Sequence, residues 1–255
     1  MEVAYRYDGS LDGFFCCIFE IYVQKEPPAC FQTEEEPTLF PVRQVTTDAA
    51  HARRILDSLV RRSVCARNLV VKGFLTCVPE REMMLYRFIQ ALYDRGPALL
   101  RCLSDDALHP LLQAVRHLDG EVQLLRGFTR FSEFDGILAG EIKPKNRVLP
   151  LLGPHFRARM REETFFLYDR THQEALFYQK GPWRILPLED FQMAAPDERE
   201  AMFRRLWRKF YDTVAIEARL NPKLRMTHMP KRYWDTMTEF QPETAALPRG
   251  PEGLP

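Results

Sequence analysis

From Gly127 to Ile142 the chain reads GFTRFSEFDGILAGEI. Phe128, Phe131 and Phe134 stand among polar residues over 128–134, Asp135-Gly136 follows, and 137–142 is mostly apolar. Aromatic and β-branched runs on either side of Asp-Gly mark strands, and Asp-Gly accepts the positive φ angles of a tight turn. The stretch therefore predicts an antiparallel hairpin. Downstream, residues 165–169 and 174–178 flank Arg170-Thr171-His172-Gln173 as a second hairpin, and 183–186 adds a strand. Residues 148–160, between the hairpins, read as a short helix opening near Pro150. Residues 197–220 predict a long helix with Phe203, Leu206, Trp207, Phe210, Val214 and Ile216 on one buried side, stopped at Asn221-Pro222. A last short helix covers 229–239.

Upstream the pattern changes to a helical period. Residues 3–7 read as one strand, Asp8-Gly9 as a turn, and Ser10 as the cap of a helix to about Gln24 with Phe14, Ile18, Ile21 and Tyr22 inward. Residues 25–41, with prolines and Glu34-Glu35-Glu36, predict an exposed connector. Helices follow from Thr47 or Asp48 to Arg62, from Pro79 to Arg95, and from a Ser104 cap through Leu125, while 69–78 fits either strand or helix. Strands grouped apart from helices argue for an α+β fold: an antiparallel sheet of hairpins packed with helices, after a helix-rich N-terminal half. The expected organisation is one domain over 1–240, with a helical part over 1–125 and a sheet-plus-helices part over 126–240 as its subdivision, and a disordered tail over 241–255.

The 36 basic and 35 acidic residues nearly cancel, so any nucleic-acid site must come from local clustering. No apolar run reaches the roughly 18 residues of a membrane helix, and the N-terminus lacks a signal-peptide pattern, so a cytoplasmic protein is expected. The six cysteines have no metal-ligand spacing and are expected to be small buried hydrophobes; no metal site is expected. Phosphate-binding glycine loops and the nucleophile elbow are absent.

Three residues are candidates for acid–base chemistry. Asp8 stands where a strand meets a helix and suits a cap as well as a catalytic role. Asp169 stands beside a turn with the same two readings. His155 is bracketed by Pro154 and by Arg157 and Arg159, and positive neighbours favour a neutral imidazole, fit for an anion site or a general base. The stronger pattern is basic and aromatic interleaving, in which guanidinium groups bind phosphates and rings stack on unpaired bases. It singles out Arg130 and Phe131, His155 and Arg159, and the block Lys231-Arg232-Tyr233-Trp234.

Several segments together resemble a known family. They are Tyr5-Arg6-Tyr7-Asp8-Gly9-Ser10, Gly127-Phe128-Thr129-Arg130-Phe131, Leu149-Pro150-Leu151-Leu152-Gly153-Pro154-His155-Phe156, Ile216-Glu217-Ala218-Arg219-Leu220-Asn221-Pro222-Lys223-Leu224, and Met229-Pro230-Lys231-Arg232-Tyr233-Trp234. In this order they are similar to the bacterial DNA-metabolism and DNA-repair proteins classed as domain of unknown function 4130. Members accompany a radical SAM protein, and similar domains occur fused to uracil-DNA glycosylase-like domains; this chain looks like the unfused form. The resemblance implies DNA and a radical SAM protein as partners, and a uracil-DNA glycosylase-like protein as a further one. It implies no cofactor in this chain, the iron–sulfur cluster and S-adenosylmethionine belonging to the partner. It brings no catalytic residues.

The functional expectation is a nucleic-acid-binding partner of a radical SAM DNA modification or repair protein. Arg130, Arg159, Lys231 and Arg232 would contact phosphates, and Phe131, Tyr233 and Trp234 would stack or wedge. The alternatives are an enzyme directed at a nucleobase or glycosidic bond through Asp8, His155 or Asp169, and a structural adaptor without DNA contact.

Overall fold

In the computed structural model, which describes residues 1–214 and 221–241, the apolar run Val3–Arg6 forms β1. It is the middle of a three-stranded parallel sheet, flanked by β2 (Pro28–Gln32) and β3 (Val42–Gln44). Parallel neighbours need a crossover, and α1 (Leu11–Gln24) supplies it between β1 and β2. The Ser10 hydroxyl caps α1, accepting from the Gly13 amide at 2.9 Å. Asp48 caps α2 (Ala49–Arg62), its carboxylate accepting from the amides of Ala50 and His51 at 2.9 Å each. Then come α3 (Val64–Phe74), α4 (Arg81–Arg95) and α5 (His109–Phe128). Tyr5, Phe14, Ile18, Leu59, Val70, Leu85, Phe88 and Leu111 share one buried core.

This half is one of two compact units, made of residues 1–121 and 145–148. It corrects the sequence reading in several places. The 25–41 connector contains β2, and β3 follows it; strands this short that pair with a distant β1 show no alternation to read. Of the ambiguous segment 69–78, residues 69–74 are the end of α3 and the rest is turn and loop. Asp105, not Ser104, opens the α5 region, accepting from the amides of Ala107 and Leu108. Cys16 and Cys17 are buried as expected, but Cys65, Cys77 and Cys102 are exposed.

Gly13 sits where α1 passes the end of β1. A side chain there would press on the Asp8 carboxylate, the Thr47 hydroxyl and the Tyr7 ring. Gly120 on α5 faces open space. We expect Gly13→Ala to cost about 1–3 kcal/mol through overpacking and Gly120→Ala to add about 0.5–1 kcal/mol through helix propensity. Thermal denaturation of the two variants checks this, since a generic glycine effect would move both midpoints the same way.

The second unit holds residues 122–144 and the described residues from 149 onward. Its sheet runs β4 (Phe131–Phe134), β5 (Ile137–Ile142), β6 (Thr164–Asp169), β7 (Glu174–Gln179) and β8 (Arg184–Pro187), each beside the next. Asp135 and Gly136 make the β4–β5 turn at φ 49° and 79°. The expected antiparallel sheet of hairpins is corrected twice: the sheet of the first unit is parallel, and here β5 and β6 run parallel, Ile137 opposite Thr164 and Ile142 opposite Asp169. The cause is α6 (Leu149–Arg159), a helical crossover that returns the chain in the same direction. The sheet is therefore mixed.

The remaining described elements of this unit are α7 (Glu198–Val214), α8 (Pro222–His228) and two 3₁₀ turns, Lys231–Thr236 and Thr238–Phe240. Asn221, read from the sequence as a helix stop, has a second role as a cap. Its side chain caps α8, accepting from the Leu224 amide at 3.0 Å. The rest of the long helix expected to 220, Ile216 included, lies outside the described residues, as does the expected tail from residue 242. No described helix is long and apolar enough to cross a membrane.

Candidate nucleic-acid interface

The second unit contains an open groove of about 840 Å³. Gly127, Arg130 and Phe131, at the end of α5 and the start of β4, line one part of it. Phe156 and Arg159 of α6 line another, and Arg204, Trp207 and Phe210 of α7 a third. Arg130 is fixed from two directions. Its Nη2 and Nε reach the Glu239 carboxylate at 2.6 and 3.1 Å, and its Nη1 donates to the Gly127 carbonyl at 2.7 Å. Its guanidinium lies 5.4 Å from the Trp207 ring centroid. Trp207 Nε1 donates to the same Glu239 at 3.1 Å.

Burial opposes ionisation of Glu239, but the hydrogen bonds from Arg130 and Trp207 outweigh it and hold the carboxyl below its ordinary value. Arg204 pairs with Glu200 at 2.9 Å and donates to the Ser132 hydroxyl at 2.6 Å. Arg159, by contrast, is exposed and has no acidic partner among the described residues.

The apolar side of α7 differs from expectation. Phe203, Leu206, Trp207, Phe210 and Val214 are 40–60% exposed. The contacts of α7 fall on a narrow strip: Arg208 donates to the Thr238 carbonyl at 3.1 Å, and Tyr211 packs edge-on against Phe240. Periodicity shows that a helix has an apolar face; it does not show what covers that face.

The basic–aromatic block is used within the unit. Tyr233 is buried against Phe128, and the Arg232 guanidinium lies 4.5 Å over the Tyr233 ring while bonding its hydroxyl. Trp234 stacks on Phe240 at 4.4 Å and donates to the Met229 carbonyl. Lys231 is exposed, with Nζ 5.8 Å from the Trp234 ring. Phe131 meets Phe156 and Phe165 edge-on.

His155 lies on α6. Its Nε2 is buried without a hydrogen-bond partner among the described residues. Burial first, then the charges of Arg126 and Arg159, lower its basicity and favour the neutral imidazole.

Asp169 is fully buried at the end of β6. It accepts from the amides of Thr171 and His172 at 2.9 and 3.2 Å, and its other oxygen meets His172 Nδ1 at 2.7 Å. These bonds hold the β6–β7 turn. Asp8 belongs to the other unit. Its oxygens take the Ser10 amide and hydroxyl at 2.9 and 2.6 Å and the Thr47 hydroxyl at 2.7 Å. Partial burial works against its charge, and those hydrogen bonds prevail, lowering its pKa.

The structure thus brings Arg130, Phe131 and Arg159 to one groove. It adds Arg204, Trp207 and Phe210 to the lining and sets Glu239 against Arg130, placements that sequence reasoning did not make. Glu239 lies 109 residues from its arginine, and no local signal links the two.

No curated protein is similar enough to the chain to count as a match. Residues 79–239, more than half of the chain, match the family described as a domain of unknown function, DUF4130, and the chain belongs to that family.

Proposed function

We propose that this protein binds nucleic acid in DNA metabolism as the partner of a radical SAM DNA modification or repair protein. One observation carries the nucleic-acid half of this reading: the groove that sets Arg130, Arg159 and Arg204 among the accessible rings of Trp207, Phe203 and Phe210. Arginine offers phosphate a forked donor, and an exposed ring offers a stacking face to an unpaired base. Arg159, exposed and with no acidic partner among the described residues, is the phosphate contact of first choice; Lys231 and Arg232, outside the groove's lining, are further exposed cations of the same unit. The partner half draws on the family membership and on the wet apolar side of α7. A protein surface would dehydrate it, as large contiguous exposed apolar patches commonly mark interaction sites. The cofactor and cluster belong to the radical SAM protein in this reading.

Fluorescence anisotropy with a labelled single strand tests it. Arg159→Ala is expected to lower affinity and to reduce the salt slope by about 0.7, the value for one phosphate contact on a single strand. Phe210→Ala, which removes the ring packed on Trp207, is expected to weaken binding about tenfold if a base stacks there. Wild-type affinity in both variants, with the fold intact, would remove nucleic acid from this groove. Loss of co-purification with the radical SAM protein in Phe210→Ala alone would then leave an adaptor without DNA contact.

A further inference from the structure

The first unit carries an open groove of about 590 Å³, lined by Phe19 and Tyr22 of α1, by Arg54, Ser58, Arg61 and Arg62 of α2, and by Tyr93 of α4. Most of it precedes the stretch matched by the family. Positions 54, 58, 61 and 62 fall at helical spacing, so they share one face of α2. The arginines at either end of that face, Arg54 and Arg62, are about 12 Å apart along the axis at 1.5 Å per residue.

Their charges are uncommitted. Neighbouring Arg53 pairs with Asp57 at 2.9 Å, whereas Arg54, Arg61 and Arg62 have no acidic partner among the described residues. Two of them lie over rings instead: Arg54 is 5.7 Å from the Phe19 centroid and Arg62 is 5.5 Å from that of Tyr93. Phe19 is stacked on His51 at 3.9 Å, and Tyr22 leans on Tyr93 at 5.4 Å while remaining 42% exposed. Ser58 and Tyr93 hold each other by a hydroxyl–hydroxyl hydrogen bond, which fixes the ring beneath Arg62.

We infer that this groove is a second nucleic-acid contact, taking successive phosphates and one unpaired base of a single strand. Three cations spread along a helix face match a polyanion better than one small ion. An exposed tyrosine on a fixed tyrosine offers a stacking face that duplex bases, already stacked, cannot use. An acidic polypeptide would satisfy the cations and leave Tyr22 without a role. The inference rests on the reading of the protein as a nucleic-acid binder, but it involves different residues in a different unit.

The test is anisotropy of the full chain with labelled oligothymidine across a salt series, with circular dichroism confirming each variant's fold. Changing Arg54, Arg61 and Arg62 together to glutamine is expected to reduce the salt slope by about 2, at about 0.7 for each phosphate. Tyr22→Ala is expected to lose about tenfold in affinity with the slope unchanged, and Tyr22→Phe to bind as wild type. If the triple variant binds as wild type while Arg159→Ala is weakened, the inference falls and the groove of the second unit stands. The reverse pattern keeps the inference and removes nucleic acid from the other groove. Absence of binding by the wild-type chain overturns both. If polyglutamate displaces the oligonucleotide at equal charge concentration and Tyr22→Ala has no effect, the groove takes acidic polypeptide and the inference is overturned.

Discussion

Glu121→Ala should destabilise the first unit by about 3 kcal/mol or more. Glu121 is 2% exposed. One oxygen accepts from the Lys145 amide at 3.0 Å, and the other from the Asn146 amide and side chain at 2.9 and 2.7 Å. Asn146 in turn accepts the Cys77 amide at 3.0 Å, and the Arg147 amide donates to the Leu75 carbonyl at 2.9 Å. One carboxylate thus holds a four-residue excursion of chain against the end of α3. Its removal strands three donors at buried or part-buried positions, and each such donor costs about 1–3 kcal/mol. Glu121→Gln keeps the shape but turns an amide nitrogen toward donors, so it should lose less, not nothing. Urea unfolding followed by tyrosine fluorescence checks this; a midpoint unchanged in Glu121→Ala would mean that water replaces the carboxylate at no cost.

Glu239→Ala should cost the second unit about 2–4 kcal/mol, because it leaves Arg130 and the Trp207 N–H without their shared acceptor. Breaking a buried pair from one side costs about 3–5 kcal/mol; Arg130 is 23% exposed at its side chain, which lowers the figure. The pH dependence has a definite sign. Glu239 titrates below its ordinary 4.5 in the fold, so its contribution is complete above that value and fades as acid approaches the lower folded pKa. Glu239→Gln should therefore be less stable at neutral pH and show a shallower loss of stability below pH 4.5. In the binding assay the same change removes a negative charge beside Arg130. The Glu239→Gln protein should bind a single strand more tightly, with a salt slope steeper by about 0.7 if Arg130 then engages a phosphate. Weaker binding would mean that Glu239 positions Arg130 and does not compete for it.

What could be read from the sequence was what local chemistry decides. Asp135-Gly136 specifies its turn within two residues, and Ser10 and Asp48 cap their helices through bonds to amides two or three positions on. What could not be read depends on distant segments. β2 and β3 are strands only because β1 lies between them. The parallel pairing of β5 and β6 follows from a helix placed between two hairpins, and that consequence was available in the sequence. The candidate site divides the same way. Arg130, Phe131 and Arg159 stood out by residue type, but nothing local showed that Glu239 engages Arg130, that Tyr233 is buried, or that the rings of α7 face water.

That last feature bears on how the protein behaves in different salts. A helix with Met202, Phe203, Leu206, Trp207, Phe210 and Val214 all substantially wetted joins other such surfaces more readily as sulfate is raised, because excluded kosmotropic ions strengthen apolar association. Chloride raised over the same range loosens contacts made through arginine and phosphate. Ammonium sulfate should therefore drive the purified chain to self-associate, and sodium chloride should strip it of co-purifying oligonucleotide. The two precipitation and elution curves would move in opposite directions.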